Sequence, residues 1–215
     1  MFPVSDVIPP RTTPYVTFGL ILANSLAFLY ELQLDRHELS AFVRAWGLVP
    51  LDARWANLLT GLFLHDGWLH VGGNMLWLWI FGHNVEDSVG HGAFLLFYLA
   101  AGASAALAHA ALDASSAAPL IGAGGAVAAV MGAYFVVFPR SQVLTAILLL
   151  VDFDVIEVPA VFYLGVWVLI QLAGGLWSIG THSADGSTVL AAYGVAFLAG
   201  AAMGASIRRW KRFWK

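Results

Sequence analysis

An all-α polytopic membrane protein is the fold class this sequence predicts, and three observations carry the expectation. Of the 215 residues, 60% are hydrophobic and only 11% charged, with a mean hydropathy of +0.79; a soluble domain carries about a quarter charged residues. Six apolar runs of roughly bilayer length are separated by polar or Gly- and Pro-bearing turns. Nine Trp and fourteen Phe supply rings for the two membrane interfaces. The net charge of −3 gives no reason to expect a nucleic-acid partner, and the absence of cysteine excludes disulfides, thiolate metal sites and a cysteine nucleophile together.

The elements follow in order. Residues 1–14 hold four prolines and one arginine and read as an extended cytoplasmic leader, with no cleavable signal peptide before the first span. That span, 15–34, is long enough to cross and serves as an uncleaved signal anchor. The stretch 35–64 mixes Asp35, Arg36, Glu38, Arg44, Asp52 and Arg54 with Phe42, Trp46 and Trp55, the composition of a folded loop lying on the membrane surface. Spans two to six are expected at 67–85, 92–112, 121–138, 159–177 and 188–206. Pro139 and Arg140 stop the fourth. The apolar run 143–151 is too short to cross, and with the acidic D-F-D-V-I-E after it reads as a surface or re-entrant element. The membrane domain thus covers 15–207 and the basic tail 208–215, with no second domain and no internal repeat.

Basic residues set the orientation. With both termini cytoplasmic, the inside segments hold Arg11, Arg140, Arg208, Arg209, Lys211, Arg212 and Lys215, against Arg36, Arg44 and Arg54 outside. The expected setting is the plasma membrane of a prokaryote, with the tail against anionic headgroups.

Chemistry concentrates at the head of the second span, in H-D-G-W-L-H-V-G-G-N-M-L-W-L-W-I-F-G-H-N-V-E, residues 65–86. An ionisable or amide side chain in hydrocarbon costs about 2.5–3.5 kcal/mol on insertion scales, so its presence there is a functional hypothesis by default. His70 and Asn74 lie four residues apart on one helix face, where they serve either as a polar pocket or as interhelix cross-links. His65 reads as structural at the loop mouth, Glu86 as a holder of a cytoplasmic helix end, and His109 and His182 as solvated residues near loops. No set of ligands converges for a metal and no cofactor is implied.

Taken with I-G-A-G-G-A-V at 121–127, G-A-Y at 132–134, F-P-R at 138–140 and Glu157-x-Pro159, these residues resemble the rhomboid family of intramembrane serine proteases. The resemblance runs from about residue 55 to 204 and implies a bundle of six transmembrane helices. In that family a serine opening the fourth span is deprotonated by a histidine on the sixth and attacks an unwinding transmembrane substrate. Carried onto this chain, His70 and Asn74 take the oxyanion role, while His65, Gly122, Gly125, Glu86 and Gly200 are pocket and structural residues. Gly122, Gly125, Gly132, Gly194 and Gly200 are expected to permit close helix approach.

Two positions depart from the family. The nucleophile position is Gly124, and aligning F-L-A-G at 197–200 puts Tyr193 in the place of the base. Glycine has no side chain to attack with, and a phenol with a pKa near 10 is a poor general base at neutral pH. The resemblance therefore implies a catalytically inactive relative that binds transmembrane segments of client proteins in the bilayer. The alternatives are an active intramembrane endopeptidase using another arrangement and, with fewer intramembrane charges to support it, a small channel or transporter.

Overall fold

The computed structural model describes residues 2–149, 152–180 and 185–213. Its order is β1 (Phe2–Asp6), α1 (Tyr15–Glu31), α2 (Arg36–Trp46), α3 (Asn57–Thr60), α4 (Trp68–Val89), α5 (His91–Leu112), α6 (Gly124–Val137), β2 (Gln142–Leu149), β3 (Asp152–Pro159), α7 (Ala160–Gly180) and α8 (Asp185–Phe213). Six of the helices, α1 and α4 to α8, fall where the apolar runs predict spans, which gives the expected α-helical bundle. Within it, His91–Leu112 and Thr188–Arg209 are each long and apolar enough to cross a bilayer, whereas Tyr15–Glu31, Gly124–Val137 and Ala160–Ala173 are shorter apolar helices.

Helix α6 sits at the centre, with every residue from Gly124 to Tyr134 buried. It packs against α4, α5 and above all α8. Its brevity follows from that position: a helix enclosed by other helices satisfies its ends within protein and need not reach either interface. The contact with α8 depends on glycines. A Cβ on Gly132 would overlap the carbonyl oxygen of Phe197, one on Gly200 would overlap that of Ala129, and one on Gly204 would come within 2.7 Å of that of Ala133. The backbones touch, as small residues in membrane helices permit. Gly194 differs from expectation: it faces open space, with nothing within 4 Å of a Cβ, and takes no part in this seam.

Helices α1 and α4 are joined by a buried carboxylate. Glu86, fully buried, accepts the backbone N–H of Val16 at 3.0 Å and of Thr17 at 2.8 Å, and the Thr17 hydroxyl at 2.6 Å. His91 Nδ1 lies 2.5 Å from Oε1, the oxygen that also accepts the Val16 N–H. The free N–H groups and positive dipole at a helix start are what a carboxylate caps best, so Glu86 does hold a helix end, that of α1.

The region expected to be a surface loop is folded. Asp35 caps α2 by accepting from His37 and Glu38 N–H at 2.8 Å, and Glu38 accepts Asp35 N–H at 3.0 Å, a complete capping box. The leader, expected to be extended, and the 142–159 region, expected to be a surface or re-entrant element, take a form not expected from the sequence. Together they form a three-stranded antiparallel sheet in the order β1-β2-β3, with Phe2 opposite Ala146 and Gln142 opposite Pro159. The physical reason lies in D-F-D-V-I-E-V, where β-branched and charged residues mix in a pattern that suits a half-exposed strand better than a buried helix. Asp6, the last residue of β1, is buried and accepts hydrogen bonds from the Tyr134 hydroxyl and, at 3.0 Å, from Ser141.

Candidate functional site

The start of α6 is shaped by Gly122, whose φ of +109° lies in the left-handed region that only glycine adopts freely. Its N–H donates to Gly61 O at 2.8 Å, fixing the loop against the 3₁₀ turn Gly61–Phe63. The ring of His70 is packed against it: a Cβ at Gly122 would come 2.5 Å from both Cε1 and Nε2. A Cβ at Gly124 would overlap the Tyr193 hydroxyl, and one at Gly125 would overlap the Ala105 methyl on α5. Each glycine of the motif thus faces a different helix, α4, α8 and α5 in turn. The volume that a side chain at 124 would fill is occupied by a phenol.

Tyr193 is held there by Trp167 of α7, whose ring stacks on it at 6.3 Å and 20°. On the α4 side, His70 Nδ1 is 2.7 Å from Asp66 Oδ1, and Asn74 Nδ2 is 3.2 Å from Nε2 of the buried His65. With the amide donating, the His65 ring accepts at Nε2 and carries its proton at Nδ1. The two imidazoles meet edge to face at 4.9 Å. A cavity of about 460 Å³ opens beside this group, lined by Asp66, His70, Asn74, Gln171, Val189 and Tyr193, with Ser116 on its rim. It lies among α4, α7 and α8 and presents amide, imidazole, hydroxyl and carboxylate groups to whatever enters it.

Of the residues singled out by sequence, His65, His70, Asn74, Gly122, Gly124 and Tyr193 converge here. Gly125 lies one step away against α5, Gly200 further along the α6–α8 seam, and Glu86 at the opposite end of α4. His109 is not solvated: it is buried on α5, on a face turned inward toward Asn57, Tyr193 and the loop before α6. His182 lies outside the described residues. Sequence reasoning passed over Asp66, Trp167, Gln171 and Glu31, whose carboxylate accepts His65 N–H at 3.2 and 3.3 Å. Asp66 alone had a readable signal, its spacing of four from His70.

Burial pushes the pKa of His65 down to about 4, with the neighbouring His70 adding to the depression. In the unfolded chain the same imidazole protonates near 6.5. Its contribution to stability is therefore complete above pH 6.5 and drains away as the pH falls toward 4, by roughly 3 kcal/mol in all. Thermal unfolding in detergent between pH 7.5 and 4.5 should show this loss, and His65→Gln should flatten it. An equally steep acid loss in the variant would show that His65 is not its cause.

Comparison with known proteins gives two matches. The family described as Rhomboid domain matches residues 52–210. A protein of Bacillus subtilis (strain 168) described as rhomboid protease GluP is 42% identical over 124 residues, which is 56% of this chain and 24% of that protein. The chain thus aligns with about a quarter of the relative's length.

Proposed function

This chain belongs to the rhomboid family and is an integral membrane protein, and we propose that within that family it is a catalytically inactive member that binds transmembrane segments of client proteins. The observation that carries this reading is the Tyr193 hydroxyl lying where a side chain on Gly124 would begin, beside a polar cavity lined by His70, Asn74 and Gln171. Hydrolysis needs a nucleophile and a base at these two positions, and losing one such group alone costs several orders of magnitude. Binding needs neither. A transmembrane helix that unwinds locally leaves backbone groups costing several kcal/mol each in hydrocarbon, and His70, Asn74 and Gln171 offer partners for them.

Photo-crosslinkers placed at Trp77 on α4 and Gln171 on α7 should capture client helices, while a fluorophosphonate probe leaves the protein unlabelled. Capture of lipid alone would sink the reading. Labelling at an intramembrane residue would instead favour an active endopeptidase, the activity named for the Bacillus relative. Gly124→Ser alone should fold worse than the native chain because its Cβ meets the Tyr193 hydroxyl. Adding Tyr193→His should relieve the overlap and yet restore little hydrolysis, since Ala196 adds a methyl in the buried seam where the family has glycine.

In the proposed topology both termini face the cytoplasm of a prokaryotic cell, with 1–14 as leader, 15–207 as the membrane domain and 208–215 as tail. Arg11, Arg140 and Arg208 support it by gathering at one end of the bundle: Arg11 N–H donates to Asp87, Arg140 follows α6, and Arg208 Nη1 donates to Val136 O at 3.0 Å. Reporter fusions at residue 215 test this, and an external signal there would reverse it.

A further inference from the structure

The sheet has no counterpart in the site and leaves a strand edge open. In the order β1-β2-β3, β2 is the only strand among the described residues that pairs with β3, along its whole length from Asp152 to Pro159. The outer edge of β3 therefore offers backbone N–H and C=O groups, a template for another strand, with the Val155 N–H donating to Asp154 Oδ1 at 2.8 Å until an added strand displaces that carboxylate. From Asp154 to Glu157 every side chain is exposed, including Val155 at 49% and Ile156 at 36%. The residues of the three strands include no Lys or Arg, so the exposed charges on this edge, Asp154 and Glu157, are both acidic. This is unlike the rest of that end of the bundle, where Arg11, Arg140 and Arg208 lie.

The edge also has a defined neighbour. β3 runs without interruption into α7 at Ala160. The first turns of α7 are tied to the sheet by Thr145 Oγ1 and the Tyr163 hydroxyl at 2.6 Å, and to α4 by the rings of Trp77 and Tyr163, 6.3 Å apart. A helix lying along the α4–α7 side emerges at this end beside β3. Membrane proteins concentrate Lys and Arg in the short segments flanking their spans on the cytoplasmic side, and the basic end of this bundle is the cytoplasmic one under the same rule.

We propose that the β3 edge binds the Lys- and Arg-bearing juxtamembrane segment of the client as an added strand, backbone to backbone, with Asp154 and Glu157 selecting its charge. This rests on the reading of the α4–α7 side as the client-binding side. Main-chain pairing supplies affinity without regard to sequence, and alternate side chains supply selectivity, as in strand addition generally. Carboxylates stand on both faces of β3, because 154 and 157 differ by an odd number of residues, so basic residues at either parity of the added strand find a partner.

The test uses the full-length protein in nanodiscs of zwitterionic lipid, where headgroups do not compete for basic flanks. Two synthetic transmembrane peptides share one Leu/Ala/Gly span and differ only in the cytoplasmic flank, Lys-Ile-Arg-Val-Lys or Glu-Ile-Glu-Val-Glu. The basic flank should bind about fivefold more tightly, the size expected of two exposed ion pairs. That preference should vanish in Asp154→Asn/Glu157→Gln, and N-methylation of the flank backbone should weaken binding to the native protein. Equal affinity for both flanks, with crosslinking at Gln171 intact, overturns the edge and leaves the client reading standing. If neither peptide crosslinks, the client reading falls, and the isolated basic flank decides the edge: binding abolished by the double variant upholds it, and no binding overturns it. Pairing of two copies through β3, trapped as a disulfide dimer by Val155→Cys in this cysteine-free chain, overturns it also.

Discussion

Gly200→Leu is expected to unfold the centre of the bundle. Even the first carbon of the new side chain would overlap the Ala129 carbonyl, and backbone cannot swing aside as a rotamer does. Overpacking a core ordinarily costs about 1–3 kcal/mol and more where the neighbour cannot yield, so a loss of at least about 3 kcal/mol is expected. Thermal or dodecyl-sulfate unfolding of the purified protein measures it. Gly194→Ala is the matched control, since nothing lies within 4 Å of its Cβ and alanine is favoured over glycine in a helix by about 1 kcal/mol. A Gly200→Leu protein as stable as the native one would mean that α6 and α8 are not in backbone contact.

The second large effect is expected at Glu86. Glu86→Ala leaves the part-buried Val16 N–H and the buried Thr17 N–H and hydroxyl without their acceptor, each worth about 1–3 kcal/mol when buried and unsatisfied. The loss should be of the order of 4 kcal/mol. It should appear first as release of α1, read as rapid amide exchange or proteolysis around residues 15–18. Glu86→Gln should fall between, because its amide nitrogen turns a donor toward donors. His91→Ala should cost less, as that ring is half-exposed and contacts only one carboxylate oxygen. Protection of Val16 and Thr17 amides unchanged in Glu86→Ala would remove the carboxylate from its role.

How much of this was legible in the sequence depended on the kind of interaction. Apolar length located α4 to α7 within about four residues at either end, because each run is bounded by Pro, Gly or charge, as at Pro139 and Gly90, whereas α8 continues to Phe213, past the expected end at 206 into the basic tail. The convergence of His70, Asn74, Gly124 and Tyr193 was readable only through ordered motifs on separate helices, since no local pattern brings α4, α6 and α8 together. The sheet was missed: β1 and β2 are far apart in sequence and pair through backbone groups, which leave no mark on composition. Burial of His109 was missed for a related reason. A histidine near a helix end looks wet until the loop that covers it is known. The role of Gly194 was misjudged because a glycine on the lipid side of a helix reads the same as one on the packed side.

The enclosure of α6 has a consequence for biogenesis. Its packing partner α8 is made after it, with two strands and another helix synthesised in between. During translation the glycine face of α6 therefore stays uncovered until α8 has been made, and helices that inserted earlier wait for that partner. Assembly is in this sense completed by a later helix, after insertion rather than during it. A chain cut short before α8 should accumulate as a substrate for membrane quality control, whatever the state of its first five spans.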